Sequence, residues 1–533
     1  MQSHRFNRAV AGALCPLLLG GLLAACGSSA KSAPSAGNSA TTSAPGAYNP
    51  AGTLRYAFDF SSTGQLPFDP TKAVESDTSA VLGQLLEDSL LRQQPDGSLT
   101  PELATAANIV DPQTISVTLR PGVRFQDGDP LDAAAVKYTI LRNEASNSVT
   151  FPAPLQAVSS VDVVGNLGLT IHLSKPDAGA FYPLLAGLAT MPVSPAAVQR
   201  NDPNPVTNPL GAGPFRVKQY IPDQSLLLVK NSAYWNAGAI KLGGIDFVSE
   251  SASGPAAINA LKAGTVDVIT SDISQLGALT GGGIQTSTAS SPTSKLYFPL
   301  CDSRGPLQNV KVRQALNYGL DRNAINQALA SGKGEPAWAL VPRASSLFPS
   351  DLENYYAYNP AKAKQLLAQA GYANGLTLTI IPTPLGVDES LAQIAQQEWK
   401  QIGVNLQIKA STNVVQDFFV NHLADMADSN VVRSGLDAMS FLFTPGHLGD
   451  ACNYQSPILT SMINQLSALA PTDPQYAQLW YQAQDFIVKN ALDVWAIWLP
   501  TVIAYDSSRV GGIQTVFPGV TAYPDFFTAY VKK

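Results

Sequence analysis

The sequence predicts an α/β protein with at least two lobes, and three observations carry that expectation. The chain has 533 residues, more than one hydrophobic core usually serves. Segments with the two-residue period of strands alternate with segments of helical period along most of its length. One stretch, Thr114–Arg142, shows the alternation in miniature. Ile115, Val117 and Leu119 alternate with polar residues, as a half-buried strand does. Pro121-Gly122 turns the chain, because proline presets φ and glycine tolerates positive φ. Val123 and Phe125 resume the alternation as a second short strand, until Gln126-Asp127-Gly128-Asp129-Pro130 breaks it. Asp132 is then the expected N-cap of a helix, Ala133–Arg142, whose Val136 and Ile140 share one face.

The N-terminal region reads differently. His4, Arg5 and Arg8 precede an apolar run, Ala9–Ala25, interrupted by Gly12, Pro16, Gly20 and Gly21. That is the pattern of a secretory signal peptide over residues 1–25. Leu23-Ala24-Ala25-Cys26 resembles the lipobox of bacterial lipoproteins, which implies cleavage before Cys26 and a lipid on its sulfur. Residues 26–51 follow as lipidated cysteine and linker; Gly27–Pro50 is rich in Ser, Ala, Gly and Pro and reads as a flexible tether. Beyond the N-terminus no apolar run reaches the length of a membrane span. A net charge of -6 weighs against nucleic acid as a partner. Cys15 falls in the signal peptide. Cys301 and Cys452 remain, and an oxidising exterior permits their pairing, but two cysteines alone fix no geometry and the question stays open.

The folded part continues in the same manner. Thr53–Phe60 reads as a first strand with Leu54, Tyr56 and Phe58 on one face, and Ser79–Leu91 as a helix with a stripe of Val81, Leu82, Leu85 and Leu86. Asp96-Gly97 is a turn, and Leu99 begins the next strand. In Ala260–Ile269 a helix ends on Gly264 and a strand follows. Val312, Ala315, Leu316, Gly319 and Leu320 form the apolar face of a helix within Asn309–Leu329; Arg313 and Arg322 read as helix-surface or salt-bridge residues, with ligand contact as the competing role. In Tyr358–Tyr372 Asn359 is the N-cap, Pro360 the first helical residue and Gly371 the stop. A late amphipathic helix, Tyr476–Lys489, leads into a nearly continuous apolar strand, Ala491–Pro500.

Motifs for chemistry are missing from this pattern. There is no GxSxG, HExxH, CxxC or phosphate loop. The four histidines are scattered, and His172 sits in an alternating strand as an exposed residue. Gly211-Ala212-Gly213-Pro214 is a turn followed by a strand, which argues against a dinucleotide site. Asp127 and Asp129 belong to a loop. No catalytic residue, metal site or cofactor is expected.

Several of these blocks carry a family resemblance. LRPGVRFQDGDPLDAAAV resembles the signature "LRxGVxFxDGxPLTAxDV" of extracellular solute-binding proteins of the oligopeptide/dipeptide/nickel family, components of ABC importers. It departs at Asp132, in place of the threonine cap, and at Ala135, in place of the acid that completes a capping box. Phe68-Asp69-Pro70, PDGSLTPELA from Pro95, LGAGPFRVKQY from Leu210, VRQALNYGLDR from Val312 and YNPAKAKQLLAQAGY from Tyr358 are similar to further blocks of that family. The resemblance implies a bilobal periplasmic-binding-protein-like α/β fold with an extra subdomain in the first lobe. Residues 52–294 would form lobe I with its subdomain, 295–499 lobe II, and 500–533 a return to lobe I. It further implies a monomer, lipid-anchored outside the cell membrane, that encloses a peptide or similar solute between hinged lobes and hands it to permease subunits with their ATPase. A non-peptide solute (sugar, opine or metal chelate), a surface sensor and a secreted hydrolase are the competing readings.

The cleft residues implied are less sharply drawn. Peptide binders carry an aspartate for the peptide's α-ammonium in a "WxxDxxDP"-like segment. Here Val431 falls at the tryptophan, Ser434 at the anchoring aspartate and Asp437 at the second acid. Arg433, beside the anchor position, either favours an anionic group of the ligand or pairs with Asp437. Position adds Ser76 and Asp77 after the early Asp-Pro, Tyr297 and Phe298 after the crossover, Trp338 in the Pro336–Pro342 loop, and Asn413. For each aromatic, packing in a core is the competing role.

Overall fold

The structure, a computed structural model, describes residues 48–60, 68–72, 77–94, 98–146, 153–201, 204, 207–250, 253–288, 294–383, 386–431, 433, 435–516 and 523–533. The expected signal peptide, Cys26, the Asp96-Gly97 turn, Ser76 and Ser434 lie outside the described residues. Among the described residues no helix is long and apolar enough to cross a membrane.

Strand β1 (Thr53–Phe58) sends Leu54, Tyr56 and Phe58 into one core and Ala57 into another on its opposite face. Helix α1 (Asp77–Leu86) adds Val81, Leu82, Leu85 and Leu86 to the first of these cores. It stops short of the expected Leu91. Asp88 takes φ +67°, and Leu91–Gln93 instead pairs as a strand with Leu99–Pro101.

Next come β2 (Ala104–Asp111), β3 (Thr114–Leu119), β4 (Val158–Val164) and β5 (Gly168–Leu173), an antiparallel sheet in the order β2-β3-β5-β4. Between β3 and β4 runs α2 (Ala133–Ala145), one turn longer than expected; the Asp132 carboxylate caps it by accepting from Ala135 N at 2.9 Å. Val136 and Ile140 are fully buried. Val123 and Phe125 are buried too, yet they form no strand. Their backbone hydrogen bonds close the loop on itself, Phe125 N to Asp129 O and Leu131 N to Val123 O.

A short turn, α3 (Ala178–Phe181), precedes β6 (Phe215–Ile221), β7 (Ser225–Lys230) and β8 (Gly244–Ser249). Helix α4 (Gly254–Ala263) ends on Gly264, whose φ of +72° favours a residue without Cβ, and leads to β9 (Val268–Ser271) and β10 (Ile284–Thr288).

The chain then builds β11 (Ser294–Pro299), α5 (Val310–Tyr318), α6 (Arg322–Ala330), β12 (Glu335–Pro336) and α7 (Pro360–Gln369). Asn359 caps α7 through Lys362 N, with Pro360 as its first residue, and Gly371 takes φ +95° just past its end. Strand β13 (Leu376–Ile381) pairs in parallel with β14 (Val404–Ile408) across helix α8 (Gly386–Gln401), and with β15 (Met426–Ala427) on its other side. After β16 (Ser429–Val431) follow α9 (Gly435–Phe443), α10 (Pro457–Ala468) and α11 (Pro474–Lys489), then the wholly buried β17 (Asp493–Leu499) and β18 (Val502–Asp506).

Strand order shows how these parts connect. One mixed sheet runs β10-β18-β9-β1-β8-β7-β6, and a second runs β12-β17-β11-β16. The chain therefore leaves the first sheet between β10 and β11 and re-enters it between β17 and β18. Cys301, just after β11, is disulfide-bonded to Cys452 in the α9–α10 connection, which resolves the pairing that the sequence leaves open.

Arg313 and Arg322 are a correction to the sequence reading. Both are buried, and neither belongs to an ion pair among the described residues. Arg313 donates to Asn490 O at 2.7 Å, Ala491 O at 3.0 Å and Leu307 O at 2.7 Å. Arg322 donates to Trp495 O at 2.8 Å, Asn317 O at 3.1 Å and Asn317 Oδ1 at 2.8 Å. Carbonyls left open beyond α11 and along β17 take the place of a carboxylate.

Candidate functional site

The two connections between sheets define a seam, and the residues on it can be built up from β11. Its first residue, Ser294, donates to Asn430 Oδ1 on β16 at 2.7 Å. Its partner β17 carries an irregularity between the pairs Leu296–Ile497 and Tyr297–Trp495, so Ala496 is left over. An extra residue of this kind rotates the strand locally. Trp495 and Trp498, three apart, consequently reach the same core as Tyr297, while Ala496 and Ile497 face the other way.

Lys295 lies on that aromatic face. Its Nζ is 4.0 Å from the Trp495 ring centroid, 5.3 Å from that of Trp498 and 5.5 Å from that of Tyr297. The residue is 0% exposed, and Nζ has no hydrogen-bond partner. Burial pulls its pKa down, and Asp493 opposes that pull. Burial in turn pushes the Asp493 carboxyl up.

Of the residues that the sequence proposes for the cleft, Tyr297 belongs to this cluster, with its ring 5.3 Å from Trp495. Phe298, its neighbour, faces the opposite core and packs on Trp399 at 5.1 Å, the position of a core residue. Trp338 is buried beneath the Arg322 guanidinium at 4.9 Å, with its Nε1 unpartnered. Asn413 is exposed and organises the chain locally: its Oδ1 accepts from Gln416 N at 3.0 Å, ahead of a π-helical turn, Val415–Val420. Asp77 is the first residue of α1. Arg433 and Asp437 are together. Arg433 Nη1 donates to both carboxylate oxygens, at 3.1 and 3.0 Å, and its guanidinium lies 4.6 Å over Phe441.

Across the seam the other half approaches this region. Lys175 pairs with Asp177 at 3.3 Å, ahead of α3, and Asp177 also meets the Ser467 side chain of α10. Gly179 lies so close to the Leu466 and Leu469 carbonyls that a Cβ there has no room. Ala180 packs on the same core as Trp495. His447, in the α9–α10 connection, has its pKa lowered by burial and senses Asp437, Lys175 and Arg433. Lys175 with Asp177, Arg433 with Asp437, and His447, which burial holds toward its neutral form, thus meet at the seam from both sides. A groove of about 690 Å³ bridges Pro176 and α10, with a mostly apolar lining that includes Pro445 and Pro457 and a few polar groups such as Gln455, Thr460 and Asn464. None of its lining residues belongs to β11, β16 or β17.

A buried acid stands next to β16. Asp428 accepts from Thr383 N at 2.6 Å, while its other oxygen has no partner; burial raises its pKa to about 8. Asp388, at the start of α8, is raised by burial to about 6. The sequence reading passes over Lys295, Asp428, Lys175 and His447. The signal available for Lys295 was the pair of tryptophans three apart in an otherwise regular apolar strand.

Two α/β halves joined by two crossings, with polar groups meeting along the seam, define a bilobal binding protein. Residues 98–451 match the bacterial extracellular solute-binding proteins, family 5 Middle, and the chain belongs to that family. It is a solute-binding protein of the ABC-importer type. A similar relative is the glutathione-binding protein GsiB of Salmonella paratyphi A, 27% identical over 412 residues that span 74% of this chain and 78% of the relative. Among solved structures, the ABC transporter substrate-binding protein CtaP of Listeria monocytogenes matches with a TM-score of 0.77 at 22% identity, covering 91% of this chain and 100% of its own. DppA of Helicobacter pylori, in complex with the peptide STSA, matches with a TM-score of 0.74 at 19% identity, covering 90% and 98%.

Proposed function

We propose that this chain captures short peptides, glutathione-like tripeptides among them, between two lobes and delivers them to a membrane permease as a lipid-anchored monomer. The observation that carries the reading is the double crossing between sheets, β10 to β11 and β17 to β18. Two adjacent connections let two rigid bodies bend about one line. Lobe I would comprise residues 52–294 and 500–533, and lobe II residues 295–499. Solute binds one lobe, the lobes close, and contacts made only in the closed form shift the population toward it. The names of the GsiB and DppA relatives support a peptide solute. In this reading the protein binds its solute and leaves it chemically unchanged. Ser434, where peptide binders have their anchoring aspartate, leaves the ammonium contact to other groups.

The test is isothermal titration of the purified protein with a tripeptide panel that includes glutathione, paired with small-angle scattering. Binding of at least one member with a smaller radius of gyration is expected. Binding without any change in radius or tryptophan emission would overturn the closure mechanism. The anchor is tested separately: Cys26→Ala should abolish metabolic labelling with palmitate and release the protein from the membrane fraction.

A further inference from the structure

We propose that Lys295 receives a carboxylate of the bound solute, so that the protein selects acids over their neutral amides. This assignment rests on the solute-capture reading and names the chemistry at one point of the cleft.

The starting point is an imbalance. Lys295 Nζ is a buried donor without an acceptor, and Trp498 Nε1, on the strand directly beside it, is another. The aromatic rings around Nζ attract the charge, but they accept no conventional hydrogen bond. Buried donors left this way are costly, and a buried ammonium more so. A carboxylate answers both at once, because it brings one negative charge and two accepting oxygens.

No described residue offers an acceptor to either donor. Asp493, opposite Pro299 on β11, is the nearby acid and its charge acts on Lys295, yet it accepts no hydrogen bond from Nζ. It makes no ion pair with Lys295, and one of its own oxygens is unpartnered. Two buried acids elsewhere in the molecule do find cations: Asp69 has Arg142 and Asp267 has Arg55.

Position links the group to the seam. Lys295 is the second residue after the crossover and pairs with Val431 on β16 and with Trp498 on β17. Val431 leads into the Arg433–Asp437 segment, and Trp498 into the return crossing. Opening of the seam is what would bring a solute to it.

The experiment compares the tripeptide panel as free acids and as C-terminal amides, by calorimetry, against wild type, Lys295→Met and Trp498→Phe. Wild type should prefer the acids by about 10- to 100-fold. Lys295→Met should bind acid and amide alike, with the amide bound as tightly as by wild type. Trp498→Phe, which removes one donor and keeps an aromatic ring, should lose part of the preference; it carries the test if the methionine variant does not fold. Equal binding of acids and amides by wild type, or an undiminished preference in both variants, overturns the assignment and leaves solute capture standing. No binding of either form by wild type overturns the peptide reading, and this inference with it.

Discussion

Asp267 and Lys295 are both ionisable and almost without solvent contact; Asp267 directly precedes a strand of one sheet, and Lys295 lies in a strand of another. Asp267 is answered. It accepts from Arg55 Nη2 at 2.7 Å and from Arg509 Nε at 2.7 Å, and Arg55 N donates to it at 2.9 Å. Those contacts tie β1 and the residues after β18 to the start of β9. Lys295 has rings around it and no acceptor. The second half of the chain repeats this pattern in other ways. Arg313 and Arg322 are held by carbonyls, while Asp302, Asp428 and Asp450 each keep one oxygen unpartnered. The first half has its own exception in Glu87, whose Oε2 is unpartnered. Paired charges fix a scaffold. Unpaired ones near a seam are demands that a ligand or a proton can meet.

The largest effect is expected where a buried charge is fully satisfied by backbone. Arg322→Ala removes the donors that Ala337 O, Trp495 O and Asn317 accept, and it leaves a cavity under Trp338. A loss on the order of 3–5 kcal/mol is expected from the urea unfolding midpoint. A loss below about 1 kcal/mol would mean that those carbonyls find other partners. Asp267→Asn comes next. It weakens two arginine contacts on one buried carboxylate, and about 2–3 kcal/mol should be lost in the same measurement. A neutral Asp267→Asn would mean that the two arginines do not depend on this carboxylate, and the contrast with Lys295 would fail.

Asp428 sharpens the comparison through pH. Its folded-state pKa of about 8 stands above the ordinary aspartate value of about 4. Over the window between the two, the native state holds a proton that the unfolded chain has released, so stability falls as pH rises. Asp428→Asn keeps an acceptor for Thr383 N and cannot ionise. It should flatten that slope and gain about 1–3 kcal/mol at pH 8, with little change near pH 4. Parallel pH profiles for variant and wild type would show that Asp428 is ionised throughout.

What the sequence made legible and what it hid divide along range of interaction. Asp132, Asn359 with Pro360, and Gly264 act within one turn of their own helix, and each takes the expected place. Helix α1 ended early because Asp88 adopts a left-handed conformation, which the apolar stripe does not encode. Arg313 and Arg322 were misplaced because some of their acceptors, Asn490, Ala491 and Trp495, arrive from 173 to 178 residues away. The seam residues were hidden for the same reason. Tyr297 and Phe298 are neighbours in sequence and face opposite cores, and only the register with β17 decides which joins Lys295. The Arg433–Asp437 pair was legible as one of two readings because its spacing is i,i+4.

That pair supplies the smallest expected effect. Arg433 resembles Arg322 in lying over an aromatic ring, at 4.6 Å from Phe441 against 4.9 Å from Trp338. It differs in solvent contact: the Arg433 and Asp437 side chains are 28% and 54% exposed. Water screens the charges, and two long side chains give up rotamer freedom to meet, so an exposed i,i+4 pair contributes no more than about 0.5 kcal/mol. Arg433→Ala should therefore shift the urea midpoint within that limit, and the shift should shrink further as salt is added. A salt-independent loss several times larger would place Arg433 among the structural arginines, beside Arg322, and would remove it from the charges that a solute meets along the seam.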